Sequence, residues 1–258
     1  MGQYGNGASL EDIARQAGHS EGSVENFTSR CFDAIESLHD IFVRRLTPEE
    51  KETEKSWLDQ QLGFAGSTWR DGWIMYDRTI VIGNVPSNLR IVDYSHGMTG
   101  SAHDARAFEH TAAALHPNWL FDENEFAWAD SAYQVNACTI PVHKKPACLL
   151  PENILFNKTH CMGALKGRFQ CLCGLHVNIN TKSDHVAACR WIAIAIILHN
   201  LIIDVEGGEA VEEFLAAHGV QEEVEDHGLP HIPQDNDVAD DDTKRRTLVA
   251  EIVAFRQM

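Results

Sequence analysis

Residues 73–82 read "WIMYDRTIVI". The run is apolar and β-branched, interrupted only by Asp77 and Arg78, and that composition predicts a strand. A charge inside such a strand is costly unless it is paired or bound to a metal. Asp77 is therefore a candidate ligand, with a salt bridge to Arg78 or Arg90 as the plain structural reading. Working outward, "LRIVDYS" at 89–95 predicts a second strand and "EFAWAD" at 125–130 a third, ending on Asp130. Strand ends in α/β sheets are where sites form. Asp130 is thus a second candidate, its plain reading being a turn cap before Ser131. Two aspartates on adjacent strands suit a hard divalent cation with oxygen ligands. His103-Asp104 is a third candidate. Helices are expected over 100–115, capped by Ser101, and over 183–204, capped by Ser183. Strand, helix and strand in alternation predict a mixed α/β sheet.

The segment before these strands reads as helical. Ser9 caps "LEDIARQA", with Asp12 as its capping-box partner, and Gly18 ends it. Ser20 caps a second helix, whose apolar positions Val24, Phe27, Cys31, Ile35, Leu38 and Phe42 step by three and four. Ala14, Gly18 and Val24 have helix-turn-helix spacing, which would offer Ser23, Asn26 and Arg30 to a DNA groove. An ordinary helical hairpin has the same spacing. Thr47 and Pro48 begin a further helix over 46–63. The expected division is a helical region at 1–65, an α/β domain at 70–206, and an acidic, partly disordered tail at 207–258.

The net charge of −17 speaks at first against nucleic acid. From Asp204 to Asp242, however, there are fourteen acids and no Lys or Arg; removing those fourteen from 38 leaves 24 acids against 21 bases, a net of −3. The acidity belongs mostly to the tail. Seven cysteines without a framework suit a reducing compartment, and a lone CxC at 171–173 is no zinc spacing. No membrane span is expected; the apolar run at 191–198 is too short.

Together, "DGWIMYDRTIV", "LRIVDYSHGMTGSAHDARAF", "FAWADSAYQ", "PENILFN", "GALKGRFQCLCGL" and "IAIILHNLIID" resemble the DDE-superfamily endonuclease domain of PIF/Harbinger-type transposases, in the form common in fungal genomes. The resemblance covers about residues 70–206. It implies a ribonuclease-H-like mixed sheet with flanking helices, preceded by a helix-turn-helix. It also implies Mg²⁺- or Mn²⁺-dependent cleavage of DNA phosphodiesters, a nuclear location, and a separate DNA-binding partner protein. The acids of the family's triad map to Asp77 and Asp130. The third, a Glu, should stand a few residues before "LKGRF", where Thr159 is found. Lys166 and Arg168 would begin a helix lying along DNA.

Two departures from the family pattern shape the expectation. The triad Glu is missing. "IGNVPS" also joins its flanking strands directly, where the family has a long loop and a further antiparallel strand, so a sheet short of one central strand is expected. As written, the chain reads as a nuclease by ancestry whose activity is impaired. The alternative is a catalytically silent nuclear factor that binds DNA or protein.

Overall fold

The computed structural model describes residues 9–63, 67–77, 81–97, 104–129, 131, 133–159, 180–206 and 242–256. At the front, α1 (Leu10–Ala17) and α2 (Glu21–Glu36) form a hairpin. Ser9 and Ser20 cap them by accepting the N–H groups of Asp12 and Ser23, and Gly18 turns the chain at φ 67°, a left-handed conformation that costs glycine little. The expected long second helix is broken: α3 (His39–Phe42) is a separate turn. Helix α4 (Pro48–Leu62) starts with a complete capping box between Thr47 and Glu50 and ends at Gly63.

The run at 73–82 is two strands, not one. β1 (Ile74–Asp77) and β2 (Val81–Asn84) pair antiparallel, with Tyr76 opposite Gly83 and Asp77 opposite Ile82. β3 (Ile91–Ser95) pairs antiparallel with β2. The expected loss of a central strand is therefore corrected: a five-stranded sheet, in the order β3-β2-β1-β4-β5, is present. β4 (Ala127–Ala129) and β5 (Thr139–Pro141) run parallel to β1. This mixed α/β arrangement is compatible with a ribonuclease-H-like fold.

One row across the sheet shows how closely the paired strands pack. Gly83 stands between Tyr76 and Asp93, and a Cβ on it would lie 2.7 Å from the Tyr76 ring. With no side chain there, the ring lies over β2 and its hydroxyl donates to Asp93. A tyrosine and a carboxylate two strands apart are thus joined across a glycine.

Each face of the sheet carries its own core. On one, Ile74, Tyr76, Ala127 and Ala129 pack under α5 (Asp104–Phe108), α6 (Ala112–Leu115) and α7 (Pro117–Leu120) through Phe108, Ala113 and Leu120. The single helix expected at 100–115 is interrupted because Thr111 caps α6. On the other face, Met75, Trp128 and Ile140 meet Trp69, Phe156 of α8 (Pro151–Thr159), and Leu248 and Ile252 of α10 (Thr243–Arg256). Each large side chain fully buried here stabilises the fold by roughly 1.5–3 kcal/mol. Helix α10 lies within residues 207–258 but beyond the acidic run that ends at Asp242, and Leu248 and Ile252 are core residues, with the Trp69 indole donating to the Leu248 carbonyl.

Helix α9 (Lys182–Glu206) starts one residue earlier than expected. Its cap is Thr181, whose hydroxyl accepts the Asp184 N–H while Asp184 accepts the Thr181 N–H in return. By length and composition α9 could cross a membrane, but Ile192 and Ile196 pack on Ile91 of β3. Asn200, fully buried, accepts the Ile91 N–H and donates to the Ile91 and Phe42 carbonyls. Its amide covers the start of β3 as a neighbouring strand would. Arg190 ties α9 to α2 through Asp33 and Glu36, beside a Phe32–Trp191 ring contact at 6.0 Å.

Candidate metal centre

The C-terminal ends of β1 and β4 lie side by side. Their parallel register pairs Tyr76 with Ala129. Asp77 is the last residue of β1, and Asp130 follows Ala129 directly in the chain. Asp130 itself lies outside the described residues, as do His103, Lys166 and Arg168. The backbone of Asp77 and of Asp104 is described, their side chains are not. Arg90, one of the plain partners considered for Asp77, is engaged with Asp204 on α9.

Helix α8 reaches the same end of the sheet. The His143 N–H, just past β5, donates to Asn157 Oδ1 at 2.9 Å, and Asn157 Nδ2 donates back to the His143 carbonyl at 3.0 Å. The His143 ring packs edge-on against Phe156 at 5.2 Å. Burial, helped by the positive field of Arg245, pushes its imidazole down to about 4, so it is neutral at pH 7. These contacts fix the last turn of α8 beside the strand ends. Thr159, the residue standing where the third acid is expected, ends that helix.

No described carboxylate takes over the third position. Glu152 is in the first turn of α8, and seven residues at 1.5 Å each put it about 10 Å along the axis from Thr159. Glu123 is exposed in the turn before β4. Glu125 also precedes β4, at the end opposite Asp130, and it is fully engaged. Its carboxylate meets Lys51 at 2.7 Å and Lys55 at 2.8 Å, and accepts the Asp122 N–H at 2.9 Å. Burial alone would push the Glu125 carboxyl up; the two lysines outweigh it and hold the group below the usual carboxylate range. The same Lys51 ammonium sits 5.0 Å from the Trp73 ring centroid and donates to the Leu120 carbonyl. This cluster fastens α4 to the sheet.

Asp93 is a buried acid that the sequence reading passed over. The rule applied to Asp77, a charge inside an apolar strand, applies equally to "IVDYS" and would have found it. Its carboxylate accepts from Tyr76 and from the Ala113 N–H, 3.3 Å away in the first turn of α6. Burial first, then Asp93, drives the Tyr76 hydroxyl well above its ordinary range, so the tyrosine remains a donor. Asp93 is thus part of the sheet's internal bonding.

Among the described residues, no group of three or more His, Cys, Asp and Glu side chains could hold a metal ion. Two carboxylates are hard oxygen donors suited to Mg²⁺ or Mn²⁺. A two-metal site that clamps both attacking and leaving oxygens needs the further ligand that Thr159 does not supply. Among the described residues, therefore, none completes a two-metal centre.

No curated protein and no solved structure matches the chain. The match that does exist begins three residues after Asp77 and contains Asp130. Residues 80–200 match the family model of the DDE superfamily endonucleases, and that match gives this stretch of the chain a transposase-derived nuclease ancestry.

Proposed function

We propose that the chain is a Harbinger-type, transposase-derived nuclease whose cleavage centre is degenerate. Asp77 and Asp130 are the remaining metal carboxylates in this reading. The observation that carries it is the parallel pairing of Tyr76 with Ala129, because it sets the end of β1, whose last residue is Asp77, beside the end of β4, which Asp130 follows in the chain. The reading requires both carboxylates on the Met75–Trp128 face, where α8 would present the third acid. With Thr159 at that place, one divalent cation is held weakly and the two-metal geometry is lost. Lys166 and Arg168 then keep a phosphate-binding role without cleavage.

The test is direct. Purified chain with Mg²⁺ or Mn²⁺ leaves supercoiled DNA intact. Robust nicking that vanishes in Asp130→Ala overturns the assignment of a degenerate centre.

A second reading is favoured by the charge of the α1–α2 hairpin. Residues 9–36 hold six acids and only two arginines, Arg15 and Arg30. Asn26 and Arg30 are exposed, and Ser23 is half-buried with its hydroxyl bonded to Ser20. We infer that this hairpin contributes to a nuclear factor that binds a partner protein, and that Ser23, Asn26 and Arg30 contact DNA only at low salt. Tight binding of duplex DNA by the full chain at physiological salt, lost in Arg30→Ala, would show the hairpin to be a DNA reader in its own right.

A further inference from the structure

Strand β3 is at the edge of the sheet, with no strand beyond it among the described residues. An open edge presents unpaired backbone groups and is a template for another strand. Proteins commonly blunt such edges. Among the described residues the blunting is at the beginning, where the Asn200 amide holds both backbone groups of Ile91. Beyond it, Val92 to His96 line an open groove of about 790 Å³. One wall is the segment from His39 to Arg45, and the other carries His110 and Trp119. Four residues of strand, Val92 to Ser95, offer about 13 Å of edge at 3.3 Å per residue.

The charges in this groove are mostly spoken for. Arg44 is held by Glu50 through two 2.8 Å hydrogen bonds. Asp40 is bonded to His39, and Asp93 to Tyr76 and Ala113. Arg45 differs. It is exposed, sits 5.7 Å from the Trp119 ring centroid, and donates only to main-chain carbonyl oxygen, at 3.3 Å from Trp119. Among the described residues no carboxylate pairs with it. Trp119 itself is 49% exposed, a large apolar surface beside an available cation. With two arginines against two aspartates, the lining has no excess of positive charge to draw a polyphosphate. A peptide strand fits better than a nucleic acid: its backbone pairs with the edge, one face covers Trp119, and one acidic side chain meets Arg45.

We propose that the free edge of β3 is a strand-addition site for an extended segment of a partner protein that carries one acidic side chain opposite Arg45. The site is independent of the metal centre, so its test stands apart from nuclease activity. The probe is a labelled synthetic hexapeptide, Asp-Val-Thr-Val-Thr-Val, titrated into the full chain by fluorescence anisotropy. Binding is expected with a Kd on the order of 100 μM. Methylating alternate backbone nitrogens of the peptide, which leaves its side chains intact, weakens binding by about tenfold or more. Arg45→Ala, at an exposed position and checked by circular dichroism, weakens it by roughly three- to tenfold. A Lys in place of the peptide's Asp does the same. Equal binding of the methylated peptide overturns strand addition, as does no binding at millimolar peptide. Displacement by oligothymidylate identifies a nucleic-acid groove instead. A concentration-dependent dimer that excludes the peptide identifies a second copy of the chain as the occupant.

Discussion

Glu125 and Glu54 are both buried carboxylates, 2% and 4% exposed, and both join α4 to the sheet domain. Their fates are opposite. Glu125 has Lys51 and Lys55 within 2.8 Å and is held ionised. Among the described residues Glu54 has only the hydroxyl and N–H of Ser87, in the turn between β2 and β3, and burial pushes its carboxyl up to about 8. Equal burial thus gives a charge in one place and a neutral acid in the other, and the partner decides which. The same lesson applies to the metal centre, where a third buried acid would have needed a cation to stay ionised.

The comparison breaks first at Glu125. Glu125→Leu leaves two mostly buried lysines without their shared counter-charge. A loss of about 3–5 kcal/mol is expected from urea unfolding. A loss below about 1 kcal/mol would mean that the existing Lys51–Asp122 and Lys55–Asp71 pairs hold the lysines by themselves and that Glu125 is dispensable. Glu54 sharpens the contrast through pH. Its folded value, about 8, lies above its unfolded value of 4.5, so its contribution is complete below pH 4.5 and is lost as pH rises toward 8. The slope approaches roughly 1.4 kcal/mol per pH unit in that window. Glu54→Gln is neutral throughout, so its melting temperature relative to the parent should climb between pH 5 and 8. Parallel curves would show that Glu54 is ionised in the fold. Ser87→Ala gives the smallest change, about 1 kcal/mol at pH 5, because one hydrogen bond is removed from a neutral acid. A loss as large as that of Glu125→Leu would place a charge on Glu54 after all.

Neither glutamate could be assigned from sequence, because their partners are far along the chain: Lys51 from Glu125 by 74 residues, Glu54 from Ser87 by 33. What was legible was local. Ser9, Ser20, Thr47 and Pro48 mark their helix starts because a cap acts within one turn. The split of 73–82 was not legible, since no Gly, Pro or Asn lies between Asp77 and Val81 to signal a hairpin. Counted as one strand, that run leaves the sheet one strand short. Gly83 was the available clue: a glycine amid β-branched residues often marks close approach by another group, here the Tyr76 ring. For the site, the order of the two Asp-ending strands was readable from motifs, whereas their adjacency required the parallel register.

The C-terminal helix has a consequence for how the chain is made. All five strands, together with Trp69, Trp128 and Phe156, are synthesised before Leu248 and Ile252 exist to cover them. During translation the sheet must therefore wait with an aromatic face uncovered while the acidic stretch up to Asp242 is added. Fourteen like charges between Asp204 and Asp242 separate that face from the helix that covers it, and their mutual repulsion works against association of neighbouring nascent chains during that delay.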